Sequence, residues 1–192
     1  MICWWLFVIC TTQNGDYMQR FTSAIRKSVE QKNWFAALFL ALAMPDICAQ
    51  TEKPSGKHAK DKGKKYREWY RKYLNNKYVF KDEHGQDVGF TGADCWSFRC
   101  ACLHSGLGAE ARGRVQEWAF RPPLNIPGLE INIGTFENNG KTTIQIDLFA
   151  ENVCLAVEKW EKDMSLNPDV VKRISELIHI DDRHNDNIVI FD

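Results

Sequence analysis

The stretch from Asp94 to Gly108, DCWSFRCACLHSGLG, gathers residue types that do chemistry: Cys95, Arg99, Cys100, Cys102 and His104. Zinc would need four tetrahedral ligands. On a helix Cys100 and Cys102 point about 200° apart and cannot both reach one ion. Cys100 and His104 form an i, i+4 pair but lack further obvious ligands, so neither a metal nor another cofactor is expected. A thiol nucleophile needs a base and an electropositive setting. Arg99 and His104 could supply both, yet the neighbouring residues match no thiol-protease signature. Free cysteine is among the most buried residue types, and packing accounts for Cys48, Cys95, Cys102 and Cys154. Arg99 and His104 acting together on a phosphate is the third chemistry, with a guanidinium to hold it and an imidazole to move a proton. Its structural counterpart is a salt-bridged arginine and a histidine favoured by the negative end of its helix. The two residues lie five positions apart, about 140° around a helix. Fraying before Gly106, or a second copy of the helix across a dimer axis, would bring such groups together.

Other elements must position this helix. Thr91 is its expected cap, and Asp94 reciprocates as in a capping box, which explains Asp94 without a catalytic role. Upstream, Phe21, Ile25 and Val29 recur every four residues in a predicted amphipathic helix over Tyr17 to Gln31. Asn33 then caps WFAALFLALAMPDICAQ, a helix without a polar face and therefore a buried one. Pro45 is expected to kink or interrupt it. Asp46, beside that break, either orients Arg99 or caps the next turn, with the cap slightly preferred. From about Lys62 to Leu74 a third helix carries Tyr66, Trp69, Tyr70 and Tyr73 on one face. Lys60, Lys62, Lys64, Lys65, Arg67 and Lys72 fill the rest. Such a helix has two readings: an aromatic stripe on the core with a solvated face, or a basic patch that tracks a phosphate backbone.

Beyond a polar segment that turns at His84-Gly85, and beyond the cysteine-rich helix, the pattern changes to alternation. RVQEWAFRP, GLEINIG and KTTIQIDLF read as strands, ENNGK as a hairpin turn, and Ile131, Ile133, Ile144 and Ile146 as one face. Helices return over about Phe149 to Met164, with Val153, Val157 and Trp160 in register, and over Asn167 to Ile178, with NIVIF a candidate terminal strand. The expected fold is α+β and mainly α: a helical bundle over about 18–106 and 149–178, with a small antiparallel sheet inserted after the fourth helix, over about 113–147. At 192 residues one domain over 18–192 is expected, preceded by an apolar extension over 1–17. MICWWLFVIC lacks a basic start, a cleavage site and the roughly 20 apolar residues of a membrane span, so no membrane partner is expected. Seven cysteines, an odd count, suit reduced thiols and a cytoplasmic protein. Net charge is zero, which excludes a general polycation and leaves only local electrostatic targeting.

The run RCACLH, Arg99 to His104, resembles the R-x4-6-H motif of the HEPN superfamily. These are helical domains of toxins, abortive-infection proteins and RNA-guided ribonucleases. The order of elements supports the likeness: a buried helix, a basic-aromatic helix, then a motif-bearing helix ending in LHSG. The resemblance spans roughly Met18 to Gly106, with Phe149 to Met164 as a closing helix. It implies a metal-independent endoribonuclease of a bacterial toxin or phage-defence system, in which the RNA 2′-OH attacks its own 3′-phosphate and leaves a 2′,3′-cyclic end. His104 would be the general base or acid, and Arg99 would hold the scissile phosphate. Lys60, Lys62, Lys64, Lys65, Arg67 and Lys72 would steer RNA, with Asp46, Asp94 and Cys100 in support. The likeness further implies a homodimer and an antitoxin or defence-system partner. Cys100 stands where the family usually has a polar residue, which favours the alternative: a non-catalytic module that binds RNA, nucleotide or protein.

Overall fold

A computed structural model of the chain describes residues 17–54, 59–81, 83–105, 118–123, 135–138 and 141–180. It is mainly helical with little strand, an α+β arrangement as expected. Helix α1 spans Gln19–Glu30, and α2 spans Trp34–Glu52 after the Asn33 side chain accepts from the Ala36 N–H at 3.2 Å. Helix α3 covers Ala59–Tyr73 and a short α4 covers Asn75–Tyr78. Strands β1 (Val79–Lys81) and β2 (Asp87–Gly89) form the small antiparallel hairpin read at His84-Gly85. Helix α5, the cysteine-rich one, spans Gly92–Ser105. Strands β3 (Trp118–Arg121), β4 (Thr135–Asn138) and β5 (Lys141–Gln145) lead into α6 (Ile146–Met164) and α7 (Pro168–Ser175).

Because α2 is apolar on every side, it must be surrounded, and α1, α3, α5 and α6 pack against it. It is the one described helix long and apolar enough to cross a membrane, and half of it is buried against its neighbours. Ala37, Ala41, Leu42, Met44 and Cys48 are fully buried on it. Of the two outcomes expected at Pro45, a kink or an interruption, the interruption does not occur: α2 runs seven residues beyond it, to Glu52. The missing Pro45 N–H leaves the Ala41 carbonyl, four residues back, without its helical donor. One residue on, the Tyr66 hydroxyl donates to the Leu42 carbonyl at 3.1 Å.

The face of α3 that bears Tyr66, Trp69, Tyr70 and Tyr73 is buried, so the stripe belongs to the core. Gly63 and Gly92 allow α3 and α5 to approach closely. A Cβ on Gly63 would sit 3.0 Å from the Trp96 indole, and one on Gly92 would sit 3.2 Å from the Arg67 backbone. Val153, Val157 and Trp160 of α6 are fully buried, in the register expected.

The sheet differs from expectation in two respects. It is mixed, with β5 central, antiparallel to β4 and parallel to β3. Strands β4 and β5 pair antiparallel with Asn138 opposite Lys141, but the parallel partner is set by docking rather than by closeness in the chain. Trp118 and Phe120 of β3 join an aromatic cluster around Phe90, and Phe120 lies 4.9 Å from Phe98 and 5.0 Å from Phe149 between ring centroids. Ile146 is not a strand residue. The strand ends at Gln145, and Ile146 is buried in the first turn of α6. Ile131, Ile133 and the candidate strand NIVIF lie outside the described residues, as does the apolar run Met1 to Cys10. Helix α7 is shorter than read, with Asn167 as its cap and Pro168 in its first turn.

Leu42→Ala removes a fully buried side chain from the axis of the core. It is expected to cost about 2–5 kcal/mol, read as a lower urea midpoint at unchanged slope. A loss under about 0.5 kcal/mol, the range of surface substitutions, would show that α2 is not the packing centre.

Candidate functional site

The capping box fixes where α5 begins. Thr91 N–H donates to Asp94 Oδ2 at 2.9 Å, the Thr91 hydroxyl bonds the same oxygen at 2.6 Å, and Asp94 N–H returns to the Thr91 hydroxyl at 3.3 Å. Asp94 is therefore a cap, buried and occupied, as its spacing indicated.

One turn on, Arg99 leaves α5 towards α2. Its Nη2 donates to Asp46 Oδ2 at 2.7 Å, and both side chains are only 16% exposed. The guanidinium also lies over the Trp96 ring, 5.2 Å from its centroid. Asp46 sits inside α2, one residue past Pro45, so the preferred reading of Asp46 as a cap does not hold and the other one does. A helix with no polar face carries one carboxylate in its middle, and α5 supplies the matching cation.

Helix α5 is continuous through His104 to Ser105, so the fraying invoked to bring His104 towards Arg99 is absent from its backbone. The two backbone positions lie about 140° apart around one helix. The His104 side chain lies outside the described residues.

The cysteines behave as apolar packing. Cys48, Cys95, Cys102 and Cys154 are buried and Cys100 is partly exposed. Burial pushes the Cys95 thiol up to about 12. Burial likewise raises Cys154 to about 12 and lifts Cys48 well above the ordinary thiol range. Since the Leu42 carbonyl can only accept, the Tyr66 proton goes to it. That leaves the Cys95 S–H to donate to the Tyr66 oxygen at 3.1 Å. Thiols raised in this way stay mostly protonated near neutral pH and are weak nucleophiles. Among the described residues no three His, Cys, Asp or Glu side chains come together as a ligand set.

The basic residues of α3 divide. Lys62, Lys64, Arg67 and Lys72 are exposed, while the side chain of Lys60 lies outside the described residues. Lys64 stands 4.0 Å from Glu68. Lys65 is turned inwards instead, donating from Nζ to the Lys53 carbonyl at 2.7 Å and closing the end of α2. Sequence reasoning passed over Lys53 and Arg71. They line a cleft of about 470 Å³ beside α3, together with Lys72, Trp69 and Tyr73. Arg71 was legible as part of the basic run; Lys53 was not, because only the end of α2 brings it there.

No protein-family model, curated protein or solved structure matches this chain.

Two outcomes follow from this geometry. In a double-mutant cycle, Arg99→Ala and Asp46→Ala are expected to couple by about 1–3 kcal/mol in urea unfolding, as charged partners in contact do; coupling under about 0.3 kcal/mol would mean the pair holds nothing. In brief alkylation at about pH 8, where only exposed or acidic thiols react, Cys100 should label first among the five described cysteines. Equal labelling of Cys95 in the folded protein would contradict the packing described.

Proposed function

We propose that the chain is a HEPN-like RNA-binding module that takes up RNA on the outer face of α3. One observation carries the reading. Burial of Tyr66, Trp69, Tyr70 and Tyr73 turns Lys64, Arg67, Arg71 and Lys72 outwards, Lys62 is exposed near the start of the helix, and Glu68 is the one acid among residues 62–73. On a molecule of zero net charge, such a face is a local electrostatic footprint for a phosphate backbone. The choice of RNA over other polyanions rests on the likeness of RCACLH and its helix order to the HEPN superfamily. A homodimer in the cytoplasm and a toxin-antitoxin or defence-system partner belong to the same proposal.

The ribonuclease reading is favoured by a separate observation, the hold of Asp46 on Arg99 at 2.7 Å. A carboxylate that fixes a guanidinium also prepares it to receive a phosphate. Arg99 would then stabilise charge on the phosphorane and His104 would move the proton, with no metal in the step. The low exposure of Arg99 and the regular helix through His104 favour the non-catalytic form.

Binding of a mixed-sequence single-stranded RNA in excess EDTA tests both readings. Saturable binding without cleavage is expected, weakened about tenfold or more in the Lys62→Ala/Lys64→Ala/Arg67→Ala variant, since each cation removed takes away a phosphate contact. Cleavage to 2′,3′-cyclic ends, lost in Arg99→Ala and in His104→Ala, would establish the ribonuclease instead. Neither binding nor cleavage by folded protein would overturn both.

A further inference from the structure

Among the described residues, the cover of α2 is incomplete on one side. At about 100° per residue, Phe35, Phe39, Ala43, Asp46 and Gln50 fall within about 80° of one another around the helix. Each is exposed or half-buried, while Ala37, Ala41, Met44 and Cys48 on the opposite side are fully buried. The strip runs about 22 Å from Phe35 to Gln50. Its first turn is aromatic: Phe35 is 76% exposed, and its ring centroid lies 6.1 Å from that of Phe39.

At its far end the strip opens onto a groove of about 420 Å³ between α2 and the end of α7. Asp46 and Gln50 belong to both, and Ile47 and Leu177 supply apolar wall. The charges here are largely answered. Asp46 is paired with Arg99, and Arg173 donates to the Thr51 and Glu52 carbonyls at 2.7 and 3.0 Å. An occupant of the groove and strip therefore needs apolar surface rather than charge.

The chain carries such a segment. Residues 1–10 are ten in a row without a charge, half of the roughly 20 that span a bilayer. Residues 11–16 tether them to Tyr17, where the described part of the chain starts. Arg20, in the first turn of α1, donates to the Ile174 and Leu177 carbonyls at 3.3 and 3.2 Å. The start of α1 is thereby fixed beside the Leu177 wall of the groove. Six extended residues span up to about 20 Å, so the run is within reach. A short tether also holds its segment at an effective concentration in the mM range, which favours it over a free partner of the same chemistry.

We propose that residues 1–10 seat their apolar side chains in the groove between α2 and α7 and along the strip from Gln50 to Phe35. Seated there, the run completes the cover of α2 and shields the Asp46–Arg99 pair from water. The inference is independent of the RNA reading, since it uses neither the outer face of α3 nor His104.

Photo-cross-linking of the full chain tests it. Phe39→p-benzoylphenylalanine puts an aromatic probe in the strip. Irradiation is expected to join it to a peptide within residues 1–10 of the same chain, read by mass spectrometry on mixed light and isotope-labelled protein. Cross-links between light and labelled chains would give the strip to a second copy and overturn the proposal. Cosedimentation with phosphatidylcholine vesicles, with no cross-link inside the chain, would give the run to a lipid surface and overturn it as well. Chymotrypsin supplies an independent readout, because cleavage of a docked segment tracks the fraction undocked. Cleavage beside Trp4, Trp5 or Phe7 should be about fivefold or more faster in Ile47→Asp. It should stay within about twofold of wild type in Leu155→Asp, an exposed apolar position on α6. Phe35→Asp, at a position too exposed to disturb the core, should also speed it. Equal rates in all four proteins would mean that the run is not seated on α2.

Discussion

Helix α2 constrains everything around it. A nineteen-residue helix with no polar face is stable in water only if other helices cover it, and α1, α3, α5 and α6 do so. The cover has to answer the polar groups that α2 still carries. Pro45 removes the helical donor of the Ala41 carbonyl, and the Tyr66 hydroxyl reaches the neighbouring Leu42 carbonyl. Asp46 brings a carboxylate into a largely buried position, and Arg99 meets it at 2.7 Å. The order of the helices, the aromatic face of α3 and the placement of Arg99 on α5 all answer to that one segment.

The same constraint divides α3. Tyr66, Trp69, Tyr70 and Tyr73 are needed against α2 and its neighbours, so the lysines and arginines have only the outer side and the flanks to occupy. The surface charge is thus a consequence of the core, and it lies on a rigid helix rather than a loop. On the flank towards the end of α2, Lys65 closes the helix terminus and the cleft opens beside it.

Much of this was legible in the chain because it is local. The caps at Asn33 and Thr91 rest on one side chain and a spacing of three, and both are present. The period of four along α6 identified Val153 and Val157 as core. Contacts between distant segments were harder. Asp46 and Arg99 lie 53 positions apart, and each has a plausible local role, so spacing could not pair them. The parallel partner of β5 was invisible for the same reason, since β3 finds it through the aromatic cluster around Phe90. At Ile146 alternation misled, because an apolar residue in the first turn of α6 extends the strand pattern by one step.

The central claim is that a charged face built by the core takes up a phosphate backbone. The dependence of RNA affinity on salt tests it most directly, because released counterions count the phosphates engaged. With about four single-strand phosphates on α3, log affinity should fall against log salt with a slope near −3. A slope close to zero would mean that the basic face is only solvated surface and that the account of what this fold does is wrong.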